Sequence, residues 1–326
     1  MSYLSNDANT DGRTVVTGSV FAPSGPAPQG GWPIVAVGHG SSGIDHGCGP
    51  STGPDFGGEL TTVSALVRAG YAVGLSDYQG LGTAGVHPYL DATTAGYNLI
   101  DSVRAVRATF SATSTRWAAV GGSQGGAAAW AANEEASAYA PELELIGSAS
   151  LAPAADLTGL VGDADAGRLT TEQVPLYVWF VESMARTFTD VNRDAYRRGN
   201  AARDWKVLTS CALSAASTRV AAAERVGKFD LGAVDPAASR VLLDHLAHFT
   251  LPRVRATAPM IVIVGDLDRY VDPDSTRRAV ARACALGDSL TFVQQSGRGH
   301  TNLDGAVGTD FLAKLFANSP PPMSCG

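Results

Sequence analysis

Short apolar runs alternate with helical stretches along much of this 326-residue sequence. Strands that are apolar along their whole length are typical of a parallel sheet whose two faces are both covered by helices. The predicted strands lie at residues 14–22, 33–38, 71–75, 117–121, 145–152, 260–265 and 290–294. The predicted helices lie at 60–69, 96–108, 125–136, 275–286 and 309–317, before a tail at 319–326 that we expect to be disordered. We therefore expect an α/β fold with a mostly parallel central sheet.

The alternation stops between residues 153 and 259, where no segment has the pattern of a strand. Helical patterns fill this interval at 169–188, 193–213, 215–226 and 236–249. The last helix is preceded by Asp235 and begins with Pro236, and both residues favour a helix start. We predict one α/β core, made of residues 1–152 and 254–326, with residues 153–253 inserted as a helical cap.

The composition excludes several classes of function. With 45% apolar and 17% charged residues, the chain is expected to be globular and not disordered. A formal net charge of −7, with no block of basic residues, argues against nucleic acid or an anionic membrane as the partner. No apolar run is long enough to span a membrane. The first 13 residues are polar and lack the apolar core of a signal peptide.

The residues that commonly bind metals give weak signals. The four cysteines form no CxxC pair, so they indicate neither a zinc site nor a disulfide-dense scaffold, although one or two disulfides could form in an exported protein. His245 and His248 lie three residues apart on a predicted helix and could in principle hold a metal. We interpret them as a solvated or packed helix face, and we expect neither a metal nor an organic cofactor.

Two Gly-x-Ser-x-Gly motifs are present, and this pattern is typical of a serine nucleophile on a sharp turn from a strand into a helix. The motif at 49–53 contains a proline and has no apolar strand before it, so we interpret it as a loop. The motif at 121–125 follows a predicted strand and leads into an alanine-rich helix. Ser123 is therefore the candidate nucleophile, and the alternative is a glycine-rich turn with an incidental serine.

A serine nucleophile needs a histidine base and a carboxylate that orients the base. In a sheet of this kind, the acid and then the histidine follow later strands. Asp268, three residues past the glycine that ends the strand at 260–265, is the preferred acid, and Asp266 is the alternative. His300 is the only histidine after that turn, so it is the candidate base unless it is a surface loop residue.

The negative charge that develops on the substrate oxygen needs two hydrogen-bond donors. One is expected at the N-terminus of the helix after Ser123, and the other in the loop after the strand at 33–38. We predict the backbone N–H groups of Gln124 and Ser41. The alternative for Ser41 is an ordinary glycine-rich surface turn.

Taken together, these motifs resemble the secretory lipase family of α/β-hydrolases. The resemblance covers nearly the whole chain and is weakest in the cap. The residues that carry it lie at 39–43, 48–51, 77–82, 87–90, 101–105 and 121–126. It implies an α/β-hydrolase fold, a carboxylic ester hydrolase with Ser123, Asp268 and His300 as its triad, a helical lid and usually export.

The sequence departs from the family at two places near the site. Gly122 stands where the family commonly has a larger residue such as His or Tyr, and Ser41-Ser42 stands where it has Thr-Thr. Neither departure removes a catalytic atom, but we expect both to alter the oxyanion hole or the pocket and so the choice of ester. The resemblance also implies a disulfide between Cys48 and Cys211 of the cap.

We therefore predict an esterase or lipase that forms an acyl-enzyme on Ser123 and acts on a small-molecule or lipid ester. The alternatives are an amidase or peptidase with the same triad, and a non-catalytic binding protein. The apolar run at 176–181 could line an acyl pocket, contact lipid transiently or form the core of the cap. No obligate protein partner is inferred. Export follows from the resemblance, whereas the missing signal peptide leaves a cytoplasmic location open.

Overall fold

The computed structural model describes residues 1–10, 12–211, 215–319 and 322–325. The strands are β1 (Ser2–Asn6), β2 (Arg13–Phe21), β3 (Trp32–Gly38), β4 (Ala72–Ser76), β5 (Thr113–Gly122), β6 (Glu144–Leu151), β7 (Met260–Gly265) and β8 (Leu290–Gln295). The α-helices are α1 (Leu60–Arg68), α2 (Ala92–Thr109), α3 (Gln124–Tyr139), α4 (Gly159–Asp165), α5 (Gln173–Thr187), α6 (Gly199–Arg203), α7 (Trp205–Leu208), α8 (Ala216–Arg225), α9 (Pro236–Phe249), α10 (Pro273–Ala285) and α11 (Ala306–Phe316). Short 3₁₀ turns lie at Pro50–Thr52, Phe56–Gly58 and Arg193–Tyr196.

The eight strands form one sheet in the order β1-β2-β4-β3-β5-β6-β7-β8. Strands β3 to β8 pair in parallel, and the pairs β1–β2 and β2–β4 are antiparallel. The predicted mostly parallel sheet is therefore confirmed. Strand β1 was not predicted, because its residues are mostly polar and it lies at the sheet edge, where one side of the strand is unpaired.

Helices cover both faces of the sheet, as the apolar strands require. On β3, Ile34 and Ala36 pack against α2 and α3, whereas Val35 and Val37 pack with α1 and α11 on the other face. Successive side chains of a strand point to opposite faces, so one apolar strand contributes to both cores. Helix α10 joins the face of α3 and packs against β7.

Between β6 and β7, the described residues form only helices and turns, and they make up most of one apolar core, which Ile44, Tyr89, Leu90 and Val271 also join. Helix α9 begins as predicted, with the Asp235 side chain accepting a hydrogen bond from the N–H of Ala238 at 2.9 Å. The cap boundaries at 153 and 253 stay a prediction. None of the helices in the described ranges is both long and apolar enough to cross a membrane.

The prediction of one helix over 193–213 is wrong. The described part of this stretch is a 3₁₀ turn followed by the short helices α6 and α7, and residues 212–214 lie outside the described residues. Gly199 has a φ of 52°, and a Cβ there would lie 2.4 Å from a carboxylate oxygen of Asp230. Asp230 instead accepts from the N–H of Asn200 at 2.9 Å, so the chain turns at Gly199 instead of continuing as one helix.

The prediction of a disordered tail is wrong for residues 322–325. Cys325 forms a disulfide with Cys284 of α10, and its backbone exchanges two hydrogen bonds of 3.1 Å with Leu290 of β8. Residues 320, 321 and 326 of the predicted tail lie outside the described residues. An apolar pattern cannot reveal this attachment, because it depends on a disulfide and on hydrogen bonds to residues 290–292, which lie about 30 residues earlier in the chain.

A sharp turn joins β5 to α3 through Ser123, whose backbone has φ 58° and ψ −120°. A φ in this region is uncommon for a residue with a side chain. The turn brings Gly125 against the end of β3, so that a Cβ on Gly125 would lie 2.0 Å from the carbonyl oxygen of Gly38. At Gly122, by contrast, a Cβ would meet only the Leu151 carbonyl oxygen, at 3.9 Å.

We expect Gly125→Ala to destabilise the fold by at least about 2 kcal/mol, because the new Cβ would displace backbone atoms. This loss would occur although alanine has the higher helix propensity. The matched control is Gly122→Ala, which adds the same methyl group where there is room. Urea unfolding of both variants tests this, and equal stability of the two would contradict the close approach.

Glu134 gives the fold a pH dependence. It is buried on α3, where Oε2 accepts from the N–H groups of Arg253 (3.1 Å) and Val254 (3.4 Å), and Oε1 has no partner among the described residues. Burial raises the pKa of Glu134 to about 8. A raised pKa means that the folded state prefers the protonated form, so stability is lost as the pH rises from about 4.5 towards 8.

We expect Glu134→Gln, which cannot ionise, to gain stability relative to the wild type across this pH range. The gain should reach about 2 to 4 kcal/mol at pH 8, since one pKa unit corresponds to about 1.4 kcal/mol. The neighbouring Glu135→Gln is the control and should follow the wild-type profile. Parallel profiles for the Glu134→Gln variant and the wild type would rule out this role of Glu134.

Candidate active site

The predicted site residues follow four different strands of the sheet. Ser41 comes after β3, Ser123 after β5, Asp268 after β7 and His300 after β8. These strands are parallel, so their carboxyl ends lie at one edge of the sheet. Ser41, Ser123 and His300 line one cavity of about 990 Å³ at this edge.

His300 and Asp268 form a hydrogen-bonded pair. His300 Nδ1 lies 2.7 Å from Asp268 Oδ2, and the two side chains are 10% and 2% exposed. The second carboxylate oxygen accepts from the N–H groups of Tyr270 (2.8 Å) and Val271 (3.0 Å). Because a carboxylate only accepts, the proton of a neutral His300 lies on Nδ1 and leaves Nε2 as the free base.

The other aspartates of the same turn have different partners. Asp266 accepts from the N–H of Gly297 at 2.7 Å and from the hydroxyl of Ser296 at 3.1 Å, so it fixes the loop before His300. Asp272 caps α10, and Asp274 pairs with Arg277 on the surface. Of these four aspartates, only Asp268 contacts His300 through a hydrogen bond.

Tyr270 is a site residue that the sequence analysis did not single out. Its ring stacks on the imidazole of His300 with centroids 4.8 Å apart and an interplanar angle of 26°. The stack and the bond to Asp268 together limit rotation of the imidazole. The sequence signal was its position two residues after Asp268, in the turn whose backbone N–H groups hold the carboxylate.

Ser123 is placed at the cavity by backbone contacts. Its N–H donates to the carbonyl of Leu151 at 2.8 Å, and its own carbonyl accepts from the N–H groups of Ala127 and Ala154, both at 3.1 Å. Within the described residues, the Ser123 hydroxyl forms no hydrogen bond. In ligand-free enzymes, the hydrogen bonds between catalytic groups are often long or poorly aligned, and they tighten only when substrate is bound.

The two predicted oxyanion donors come from two different loops of the chain, one after β3 and one after β5. Gln124 is the first residue of α3, where a backbone N–H has no partner within the helix. Ser41 lies on the cavity wall, beyond the end of β3. In the described ranges, neither backbone N–H donates to a protein group, and Gln124, which is buried, is not among the residues that line the cavity.

The cap supplies the opposite wall of the cavity. Leu176 and Trp179 of α5 line it, whereas Tyr177, Val178 and Phe180 are buried in the cap core. The apolar run at 176–181 therefore contributes both to the cavity wall and to the apolar core of the cap, whereas contact with an acyl chain or with lipid stays a prediction. The charged residues on the wall were missed by the sequence analysis, because no motif marks them. They are Glu59, Glu172, Arg219 and Glu224.

The described residues contain no group of three or more His, Cys, Asp and Glu side chains arranged to hold a metal. His245 instead lies 3.3 Å from the carboxylate of Asp190 and stacks on Phe188, with centroids 4.1 Å apart. These contacts match a packed and partly solvated helix face.

The disulfide between Cys48 and Cys211 is confirmed, and it joins the segment after β3 to the cap. Gly43, two residues beyond Ser41, lies against it and has a φ of 134°. A Cβ on Gly43 would lie 2.6 Å from Cys48 Sγ. The loop that carries Ser41 is therefore held against a covalent link to the cap.

The chain is similar in structure to enzymes of known fold. It superposes on lipase A of Candida antarctica in its closed state with a TM-score of 0.78 and 17% identity, over 99% of this chain and 78% of that one. It superposes on the rice cell wall degrading esterase LipA from Xanthomonas oryzae with a TM-score of 0.74 and 18% identity, over 98% of this chain and 87% of that one. These superpositions show a shared α/β-hydrolase fold, and at identities this low they show the fold alone.

A comparison with curated protein sequences gave no match. Residues 51–320, which make up most of the chain, match the family described as secretory lipase. The matched region contains Ser123, Asp268 and His300. The chain therefore belongs to the secretory lipase family and is a carboxylic ester hydrolase.

Proposed function

We propose that this enzyme cleaves esters in two steps through an acyl-enzyme on Ser123. The observation that carries the proposal is the buried Asp268–His300 pair, whose Nδ1–Oδ2 distance is 2.7 Å and whose imidazole shares a cavity with Ser123. The family supports hydrolysis of an ester, and the geometry supports the roles of the residues.

In the first step, Ser123 Oγ attacks the ester carbonyl while His300 Nε2 takes the hydroxyl proton. The carbonyl oxygen becomes an oxyanion and accepts from the backbone N–H groups of Ser41 and Gln124. His300 then returns the proton to the departing alcohol. Asp268 keeps the imidazole in the required tautomer and stabilises its cation. Water repeats the sequence and releases the acid.

The acyl group of the substrate is proposed to lie between the sheet edge and the cap. Leu176, Trp179 and Leu303 give this part of the cavity apolar walls, and its volume of about 990 Å³ is large enough for a drug-sized ligand. Val220 also lines the cavity and is 51% exposed, so the rim offers apolar surface for brief contact with a lipid aggregate.

We further propose that the enzyme is exported. The family is described as secretory, and both cysteine pairs form disulfides, Cys48–Cys211 and Cys284–Cys325. Disulfides of this kind persist in oxidising compartments.

A fluorophosphonate probe tests the nucleophile directly, because it reacts with an activated serine. We expect labelling of the wild type and none of Ser123→Ala, together with loss of short-chain p-nitrophenyl ester hydrolysis. The matched control is Ser51→Ala in the second Gly-x-Ser-x-Gly motif, whose hydroxyl donates to Asp77. This control should label normally. An unlabelled wild type, or faster turnover of a matched anilide than of the ester, would contradict the proposal.

We expect Asp268→Asn to lower kcat by about 10³- to 10⁴-fold, because an amide no longer enforces the reactive tautomer of His300. The fold should persist, since an asparagine oxygen can still accept from the N–H groups of Tyr270 and Val271. Asp266→Asn is the control, because Asp266 contacts the loop and not the imidazole. An equal loss of activity in both variants would argue against Asp268 as the triad acid.

A further inference from the structure

The segment His87–Tyr89 contacts the side chains of both residues that carry the proposed oxyanion donors. Tyr89 Oη lies 2.7 Å from Ser41 Oγ, and the Gln124 side-chain amide donates to His87 Nε2 at 2.9 Å. The side chains of His87, Tyr89 and Gln124 are buried, with residue exposures of 2%, 0% and 4%. The residues that carry the two donors are thus held through their side chains by one short segment.

The hydrogen bonds of His87 fix its tautomer. Its Nδ1–H donates to the carbonyl of Gln79 at 2.8 Å, so Nε2 is the acceptor for the amide of Gln124. Burial lowers the pKa of His87 to about 3, which keeps the ring neutral at all pH values where the enzyme is expected to work. The amide of Gln124 therefore has a constant partner.

The cap in turn fixes this segment. The hydroxyl of Ser183 on α5 donates to the carbonyl of His87 at 2.6 Å and accepts from the N–H of Tyr89 at 2.9 Å. Trp179 of the same helix packs edge-on against the ring of Tyr89, with centroids 5.9 Å apart. Trp179 also lines the cavity, so the side of the helix that meets the substrate also holds the segment.

We propose that His87 and Tyr89 are positioning residues that hold the backbone N–H groups of Gln124 and Ser41 where the oxyanion forms. A backbone donor cannot be adjusted by its own side-chain chemistry, so its position depends on what anchors the residue. Here the anchors are the side chains of Ser41 and Gln124 themselves. The inference rests on the proposed function, because it assumes that these N–H groups bind an oxyanion.

Tyr89→Phe tests this with the loss of one hydroxyl. We expect kcat to fall about 10-fold, a fraction of the effect of deleting a donor, while KM changes by less than about 3-fold. The inhibition constant of a trifluoromethyl ketone, which forms an oxyanion on the nucleophile, should rise by the same factor as kcat falls. A purely structural role would lower the melting temperature without this match between kcat and inhibitor binding.

The matched control is Tyr196→Phe. Tyr196 is a buried tyrosine of the cap whose hydroxyl donates to the carbonyl of Ala238 at 2.9 Å, and it does not line the cavity. The Tyr196→Phe variant also loses one tyrosine hydrogen bond, but the lost bond lies away from the cavity. The variant should therefore retain wild-type kcat and inhibitor binding.

A second pair of variants keeps the inference testable if Tyr89→Phe fails to fold. A glutamine at position 87 offers a carbonyl that can accept from the amide of Gln124, whereas a leucine cannot. We expect His87→Gln to retain more of kcat than His87→Leu, with similar KM. In addition, Ser41→Ala and Tyr89→Phe break the same bond, so the double variant should lose little more than either single one.

Unchanged kcat in Tyr89→Phe, an unchanged inhibition constant, or equal kcat of the two His87 variants would overturn the inference. Fluorophosphonate labelling separates this failure from failure of the proposed function. If the wild type is labelled and Tyr89→Phe matches it in kcat and inhibition, only the positioning role is wrong. If the wild type is not labelled, the acyl-enzyme mechanism is wrong, and the positioning role with it.

Discussion

The close approach of α3 to the end of β3 is the constraint on which the site depends. Gly125 fits against Gly38 only because neither residue has a side chain: a Cβ on Gly125 would lie 2.0 Å from the Gly38 carbonyl oxygen. This contact allows the chain to reverse at Ser123 and to begin α3 immediately after it. The same turn sets the direction of the helix, and so places the N–H of Gln124, at the start of α3, next to Ser123, the proposed nucleophile. Backbone packing therefore positions both the proposed nucleophile and one proposed oxyanion donor.

The loop after β3 depends on the cap for its position. The Cys48–Cys211 disulfide joins the segment to the cap, and Arg186 of α5 bonds Asp45 at 2.6 Å. Both links lie within a few residues of Ser41. The α/β core and the cap are thus coupled at the loop that carries Ser41, a proposed oxyanion donor, so a displacement of α5 would also move this part of the proposed site.

The sequence predicted those parts of the molecule that follow from local pattern and chain order. Apolar strands revealed the parallel sheet, and the order Ser123, Asp268, His300 along the chain identified residues that the fold brings to one edge. The missed features depend on contacts between distant residues. The chain turns at Gly199 because of Asp230, and the C-terminal residues are held by Cys284. The charged cavity wall was missed for the same reason.

The glycines around Ser123 do two different things. Those that pack backbone against backbone cannot be replaced: a Cβ on Gly121 would lie 2.4 Å from the Gly125 carbonyl oxygen. Gly122 and Gly40 also line the cavity, yet the nearest atom to an added Cβ is 3.9 Å away at Gly122 and 3.8 Å away at Gly40. The fold would accept a side chain at either position. Because neither residue has a side chain, the space beside Ser123, the proposed nucleophile, stays empty. The width of the cavity there is therefore set by residues that the architecture does not require to be glycine.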